Sequence, residues 1–418
     1  MRTLRFLPQL GLAAAVPLAL GACSGVLDVT YPGRIPTEQI DDPTLASVLV
    51  TSVVGDLECA YNNYTAGNAA HSDEFESSNS NVPGANWGER SIGATEADYV
   101  NGRCGGTALN FGLHTVMHTA RYQAEDIYKR LQNWTDAQVP NRKDFLAIVR
   151  TYGAFPYLFF GEPYCQIAFD GATPVPPSAG LAIAEQRFTE AITLAQAAGD
   201  NDMLNLAQVG MARTKMDLKK WAEAAQFAQL VSQGYVKMAD RGTEGDRRYN
   251  KIYENYNTSG YYVVADEYRT MNDPRVLVRD AGRGAFNSVV RLWVTDKYKS
   301  LGDPIRLASY REAQLILAEA QVQQGQIDPA LTILNTRRTE LGLAPLSAAT
   351  QTEAIQAVLE ERRREFAFEG GQRINDILRY HIPWKGANGS TKSFNQYTGR
   401  PYGATTCWPL PTNETSGA

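Results

Sequence analysis

The sequence predicts a mainly α-helical fold in which antiparallel helices pack in pairs. Helical periodicity recurs in several segments after residue 45, and three sets of small or apolar residues share one spacing within it: Phe188, Ala191 and Ala195; Trp221, Ala224 and Ala228; Ile327, Ala330 and Leu334. The first two sets lie about 33 residues apart, close to the roughly 34-residue period of tetratricopeptide (TPR) hairpins. Small alanines at these positions allow two helices to approach closely. We therefore predict a TPR-like helical scaffold with long irregular loops and a few short strands.

The predicted helical hairpins flank a segment of different composition. We place the hairpins at about residues 178–235 and 305–340, and the segment between them, 240–304, is rich in Tyr, Asn, Gly and Arg. Its apolar runs YYVVA and VVRLWV are typical of short strands. Because long loops inside a compact domain are usually functional, we interpret residues 240–304 as an insertion that decorates the helices and serves function.

The N-terminal residues predict export and a lipid anchor. Arg2 and Arg5 precede an apolar run, as in a secretory signal peptide, and the tetrad Leu-Gly-Ala-Cys that ends at Cys23 resembles a bacterial lipobox. The predicted organisation is a lipoprotein signal peptide over 1–22, an acylated tether over 23–44 and a single helical domain over 45–418. An ordinary export signal with an incidental Cys23 is the alternative.

The remaining cysteines predict two disulfides. Four cysteines remain, which is an even number in an exported chain and allows three pairings: Cys59, Cys104, Cys165 and Cys407. We favour Cys59–Cys104, which would close a polar loop, together with Cys165–Cys407, which would pin the C-terminal tail to the body. Their spacings match no Cys-x-x-Cys zinc pattern.

Several functional classes are disfavoured by the sequence. The formal net charge of −5 makes nucleic acid a poor partner, because phosphates require clustered Lys and Arg. No P-loop, Rossmann glycine pattern or Gly-x-Ser-x-Gly motif is present, so neither a cofactor nor catalysis is expected. His114 and His118 have a spacing that can bind a metal, but no third ligand is evident from the sequence, and we interpret them as helix-packing residues without a metal.

The stretch ERRREFAFEGGQR, which begins at Glu361, is interpreted as scaffold. Thr350 and Glu353 form a capping box that starts its helix, and Gly370 with the next glycine ends it. Its carboxylates recur every four residues with arginines between them, and a following short helix could return further arginines onto them. No nucleophile, histidine or metal-ligand set accompanies these carboxylates, so buried ion pairs are favoured over catalysis.

These motifs together resemble the C-terminal signature of the SusD/RagB family over residues 310–414. The resemblance rests on the REAxLILAEA core within Tyr310–Ala320, on Leu334-Asn335 with Arg337, and on Cys407-Trp-Pro-Leu-Pro with Glu414. It also rests on the signature residues Glu361, Arg364, Glu365, Phe366, Glu369, Gly370, Arg373, Asp376 and Arg379. The lipobox agrees with it.

The resemblance implies a fold and a function. The implied fold is a right-handed helical scaffold of TPR-like hairpins with irregular loops as the ligand face. The implied function is that of a non-enzymatic outer-membrane lipoprotein that is exposed at the cell surface. Such a protein captures oligosaccharides for a TonB-dependent SusC-like β-barrel transporter. Its TPR-like side is expected to face the transporter. Peptide capture, as in RagB-like subunits, and a TPR-like protein-interaction scaffold are the alternatives. A glycosidase would instead need two carboxylates roughly 5–9 Å apart in a cleft.

Loop aromatics beside amides are the candidates for ligand contact, because sugar rings stack on aromatic faces while polar side chains bind their hydroxyls. The first group is Trp87 with Asn86 and Arg90, assisted by Asn79 and Asn81; a tryptophan that plugs its own loop is the alternative. The second group lies in the insertion, where some members must form its own core: Tyr253, Tyr256, Tyr261, Tyr262 and Trp293.

Overall fold

The computed structural model describes residues 39–79, 82–101, 104, 112–288, 290–386 and 394–415. The chain divides into two compact units, Met1–Asp42 and Pro43–Ala418, and only Gln39–Asp42 of the first unit is described. The predicted signal peptide, the lipidation residue Cys23 and most of the predicted tether therefore lie outside the described residues. Everything below concerns the second unit.

Helices dominate the described residues. They are α1 (Ala46–His71), α2 (Val82–Gly88), α3 (Ala97–Val100), α4 (His114–Asn133), α5 (Arg142–Gly161), α6 (Pro177–Ala198), α7 (Asn201–Asp217), α8 (Trp221–Gln229), α9 (Asp266–Arg269), α10 (Tyr310–Gln323), α11 (Ile327–Glu340), α12 (Gln351–Glu365), α13 (Gln372–Tyr380) and α14 (Thr412–Thr415). The strands are β1 (Phe75–Ser77), β2 (Val236–Ala239), β3 (Tyr262–Val264), β4 (Val278–Gly284), β5 (Arg291–Thr295) and β6 (Ile305–Ser309). They pair antiparallel as β1–β3, β2–β6 and β4–β5.

The helices pack mainly against their neighbours in the chain. α6 packs against α5 and α7, α8 packs against α7 and α10, and α10 packs against α11 and α12. The predicted alanine positions lie in these contacts: Ala191, Ala195, Ala224, Ala228 and Ala330 are all at most 1% exposed. The prediction of a mainly α-helical fold with a few short strands is thus confirmed, and the alanines act as predicted, because they allow neighbouring helices to approach closely.

Helix α1 is the central core helix. By length and mean hydropathy (1.3) the segment Pro43–His71 is apolar enough to cross a membrane. Its second half, however, is buried on every side and makes long-range polar contacts that a membrane could not supply. The amide of Asn62 donates to the carbonyl of Tyr249 at 2.8 Å and accepts from the backbone NH of Lys251 at 3.0 Å. These contacts identify α1 as a core helix of the fold.

The insertion forms a small satellite core beside the helices. Val263 of β3, Ala285, and Leu292 and Val294 of β5 are buried together in it. Both apolar runs singled out in the sequence contribute a strand, β3 and β5. This core holds the polar and aromatic loops of the insertion in fixed positions.

Both favoured disulfides are present. Cys59 of α1 is bonded to Cys104, with Cα atoms 5.4 Å apart, and Cys165 is bonded to Cys407 with a Cα separation of 5.1 Å. Beside the second bridge, the backbone NH of Cys165 donates to the carbonyl of Trp408 at 2.8 Å, and the NH of Trp408 donates to Pro163 at 2.7 Å. The C-terminal tail is therefore pinned to the end of α5, as predicted.

The signature stretch is a scaffold of buried ion pairs, as predicted. The prediction that arginines of the following helix bind its carboxylates is wrong. The capping box of α12 is present, with Thr350 and Glu353 bonding each other's backbone. The carboxylates of Glu361, Glu365 and Glu369 bind basic residues of other segments: Arg275, Lys297, Arg306, Arg337 and Arg338.

The arginines of α13 turn away from the α12 carboxylates. Arg373 binds Asp73 at 2.8 Å, and Arg379 binds Asp217 at 3.1 Å and Asp376 at 2.7 Å. The double glycine that precedes α13 packs closely against α1. Gly370 and Gly371 both have positive φ, and a Cβ there would lie 2.7 Å from the Tyr61 hydroxyl or 2.6 Å from the Tyr64 ring. The turn is therefore pressed onto α1, and the α13 that follows it stays in contact with α12 through the pair between Asp376 and Arg362 at 2.6 Å.

Candidate ligand-binding site

The predicted Trp87 group belongs to the core, so that prediction is corrected. Trp87 lies on α2 rather than in a loop, is 1% exposed, and meets Trp408 edge-to-face with ring centroids 5.5 Å apart. Asn86 donates to Glu96 at 2.8 Å, and the buried Arg90 donates to the carbonyl of Lys385 at 3.1 Å. The polar sequence around Trp87 is therefore satisfied internally, and its ring presents no face to a ligand.

The other assisting amides do not add a site there. Asn79 is 3% exposed, and Asn81 lies outside the described residues. Within the insertion, Tyr256 and Tyr262 are at most 1% exposed, and their hydroxyls donate to the backbone carbonyls of Ala66 and Gly84. These tyrosines pack the core, which is the alternative that the sequence had left open for part of the group.

Trp293 is a predicted aromatic that the structure places, partly exposed, in a cluster of aromatic and polar side chains. It is half-buried on β5 between the buried Leu292 and Val294, and it packs against the edge of the satellite core, as does Tyr397. The guanidinium carbon of Arg269 lies 5.5 Å from the centre of the Trp293 ring and 6.0 Å from that of Tyr397. Arg269 also donates to the Tyr397 hydroxyl at 2.8 Å and to the carbonyl of Val264 at 2.7 Å. One arginine thus holds two aromatic side chains in place.

Polar groups complete this surface. Asp266, whose side chain is 44% exposed, accepts from the Tyr397 hydroxyl at 3.3 Å and pairs with Arg269 at 2.7 Å. The amide of Gln396 donates to Asp266 at 3.0 Å and to Glu76 at 2.9 Å. Burial raises the pKa of Tyr397 to about 12 although Arg269 opposes it, so the hydroxyl stays neutral. We call Asp266, Arg269, Trp293, Gln396 and Tyr397 the Trp293 platform.

Tyr253 and Tyr261 are the other predicted aromatics that reach the surface. Tyr253 is half-buried at the start of a short π-helical turn, Tyr253–Thr258. The half-buried Tyr261 ring packs on Phe286, with centroids 4.6 Å apart, and Phe286 is 47% exposed. This second aromatic pair borders the same satellite core, because Phe286 directly follows its member Ala285.

Sequence reasoning did not identify four of the five platform residues. Gln396 and Tyr397 sit in the loop FNQYTG, an aromatic–amide cluster of the kind that drew attention to Trp87, but it lies within the signature region that was interpreted as scaffold. Asp266 and Arg269 belong to a one-turn helix with no motif of its own. Only the fold brings these segments against β5.

The two helix histidines gain a third neighbour in the structure, which corrects the expectation that none is available. Nε2 of His114 lies 3.2 Å from Oε1 of Glu414, and the rings of His114 and His118 are 4.4 Å apart. Burial, together with the neighbouring His114 and Arg121, lowers the pKa of His118 to about 2. Burial also lowers the pKa of His114, while the hydrogen bond with Glu414 opposes it. Both imidazoles are therefore neutral at pH 7.

Fold and platform together define a helical scaffold with aromatic–polar loops, and the comparisons give this class a name. The sequence model of the SusD family matches residues 241–417. The fold is that of SusD-like structures, among them a SusD-like carbohydrate-binding protein from Bacteroides vulgatus (TM-score 0.67, 15% identity, 90% of this chain and 96% of that chain covered). The predicted resemblance to the SusD/RagB family is thereby confirmed. No curated protein matches the sequence.

Two further structures of the same fold are surface glycan-binding proteins. Surface glycan-binding protein A from Bacteroides thetaiotaomicron, solved in complex with laminarihexaose, gives a TM-score of 0.67 at 15% identity over 90% of this chain and 97% of that chain. Surface glycan-binding protein A from Bacteroides uniformis gives 0.61 at 18% identity over 88% and 97%. At these identities the likeness establishes the fold.

Proposed function

We propose that this chain is an outer-membrane lipoprotein that captures oligosaccharides on its Trp293 platform and delivers them to a TonB-dependent SusC-like transporter. The observation that carries the proposal is the platform itself: two half-buried aromatic rings fixed around one arginine, with a carboxylate and an amide beside them. The laminarihexaose bound by a structural relative supports a glycan as the ligand class.

The platform suits a neutral sugar for physical reasons. The C–H face of a pyranose packs against an indole or phenol ring, while carboxylate, amide and guanidinium groups bind its hydroxyls. Arg269 and Tyr397 are held by the hydrogen bonds described above, so little side-chain freedom remains to be lost on binding. Such preorganisation preserves more of the contact energy as affinity.

Truncation of Trp293 should abolish most of the glycan affinity. In the full chain purified in mild detergent, we expect Trp293→Ala to weaken binding of laminarihexaose, or of the glycan selected from a panel, by about tenfold or more, as for an anchoring aromatic. Isothermal titration calorimetry measures the change. Recovery of the glycan with unchanged chain length would support capture without turnover.

The matched control is Tyr122→Ala, which removes a 61% exposed aromatic ring of α4 outside the platform and should leave affinity unchanged. Wild-type affinity in Trp293→Ala would refute the platform as the site. Binding of a peptide mixture but of no glycan would instead assign peptide capture, and shortened glycan products would point to an enzyme.

Anchoring and delivery are tested by membrane extraction. We expect the wild-type chain to fractionate with outer membranes and, in mild detergent, to co-purify with a large β-barrel chain, because acylation at Cys23 would hold it beside the transporter. The variant Cys23→Ser should appear in the soluble fraction. A wild-type chain that remains soluble without lipid, or that co-purifies with no β-barrel, contradicts this part of the proposal.

A further inference from the structure

We propose that His114, His118 and Glu414 form a binding site for a divalent transition-metal ion of the Zn²⁺ type, which ties the C-terminal turn to α4. Each residue offers one ligand atom, and these atoms all lie within 4.8 Å of one another. The site shares no residue with the Trp293 platform. It is therefore a separate function of the chain, independent of glycan capture.

The helix supplies two of the three ligands. Residues four apart lie on the same face of an α-helix, so the His114 and His118 rings face each other across one turn with centroids 4.4 Å apart. Glu414, on the last described turn of the chain, reaches the pair with its carboxylate 3.2 Å from His114 Nε2. Small side-chain rotations would bring the three atoms to the 2.0–2.2 Å bonds that zinc makes.

Unsatisfied nitrogens are the second, independent observation. Nε2 of His118 and Nδ1 of His114 are buried, and neither has a hydrogen-bond partner among the residues that the structure describes. His114 is only 2% exposed, so its free nitrogen is also withheld from solvent. Because a buried polar atom without a partner costs free energy, native proteins usually supply one. A metal ion would engage Nε2 of His118 and one ring nitrogen of His114 in this way.

The surroundings favour a cation at this place. Phe160 and Phe169 pack on His118, with ring centroids 4.6 and 5.9 Å away, which lowers the local dielectric and strengthens the bonds to an ion. The positive side chain of the nearby Arg121 is neutralised by a bidentate pair with Asp170 at 2.6 and 3.1 Å. Glu414 supplies the negative charge, and its side chain is 23% exposed, which leaves a route for entry.

The ligand types select the class of metal. Two neutral imidazoles and one carboxylate suit Zn²⁺ and its neighbours, whereas Ca²⁺ and Mg²⁺ prefer all-oxygen sites. Three protein ligands leave the fourth tetrahedral position for water. The ion would add a second tie to a tail already held by the Cys165–Cys407 bridge.

The test is titration of the full chain, purified without a polyhistidine tag and stripped with a chelator. We expect one equivalent of Zn²⁺ to bind by calorimetry, and Co²⁺ in its place to give the visible absorption of a tetrahedral site. Zinc should also raise the thermal unfolding temperature. His118→Ala and Glu414→Gln should each weaken zinc binding by at least about tenfold.

The chain offers a matched control. His381→Asn removes an exposed imidazole outside the cluster and should bind zinc like the wild type. Glu414→Gln preserves side-chain shape at a half-exposed position, so its fold is expected to stay intact if His118→Ala proves unstable. Absence of stoichiometric binding, or zinc affinity that is equal in the wild type and both ligand variants, would overturn the proposal.

Discussion

Replacing Arg362 with Met is expected to destabilise the protein by about 3–5 kcal/mol, the usual cost of removing one partner from a buried ion pair. Arg362 is 1% exposed and binds Asp376 at 2.6 Å and the carboxylate of Glu319. Both carboxylates are themselves at most 1% exposed. Without the guanidinium, both carboxylates share the single positive charge of Arg379, and Glu319 also keeps the Tyr380 hydroxyl, but water cannot replace the lost charge. Urea unfolding, with the free energy extrapolated to water, measures the effect.

A neighbouring arginine on the same helix gives the control. Arg364 pairs with Glu360 at 2.7 Å, and the two side chains are 26% and 40% exposed. Its longer contact with the buried Asp273, at 3.4 Å, can be lost because Arg275 still binds Asp273 at 2.8 Å. Arg364→Met should therefore cost less than about 1 kcal/mol. Equal destabilisation by both substitutions would contradict the assignment of Arg362 to a buried network.

The same network explains why the sequence could predict an ion-pair scaffold but not which residues form each ion pair. Carboxylates spaced four residues apart, with arginines between them, lie along one helix. The helix face on which they lie can therefore be predicted from the local sequence. Their partners are not local: Arg275 and Arg306 come from the insertion and from β6, and they meet α12 only after the chain has folded. The local expectation was that α13 returns its arginines to the α12 carboxylates, whereas Arg373 binds Asp73 and Arg379 binds Asp217 and Asp376.

The candidate site also combines features that the local sequence predicts with contacts that only the fold creates. The sequence placed Trp293 among the candidate aromatics of the insertion, and the structure leaves its side chain half-buried beside Arg269. Trp87 was misassigned because Asn, Gly and Arg around it indicate a loop, whereas their polar groups are satisfied inside the fold. For the metal cluster, the spacing of His114 and His118 is visible in one helix, but Glu414 lies 300 residues further along the chain. Helical periodicity and small-residue spacing therefore predict the scaffold, and long-range contacts build the sites.

Opening the Cys165–Cys407 bridge with the double substitution Cys165→Ser/Cys407→Ser is expected to cost about 2–5 kcal/mol of unfolding free energy. The bridge closes 242 residues against 45 for Cys59–Cys104, so it restricts the unfolded chain more. Cys165 is exposed and Cys407 half-exposed, which makes serine tolerable in the folded state. The effect should therefore come mainly from the unfolded chain. Urea unfolding under non-reducing conditions measures it.

Substitution of an exposed residue that takes part in no crosslink provides the comparison for this last prediction. Ser232→Ala, at an exposed position between α8 and β2, should change the unfolding free energy by no more than about 0.5 kcal/mol. In the double variant, the hydrogen bonds between Trp408 and the end of α5 remain, so the tail should still dock but open more often. Faster cleavage of the C-terminal tail by a protease would report that opening. An unfolding midpoint and a cleavage rate equal to those of the wild type would show that the bridge does not hold the tail.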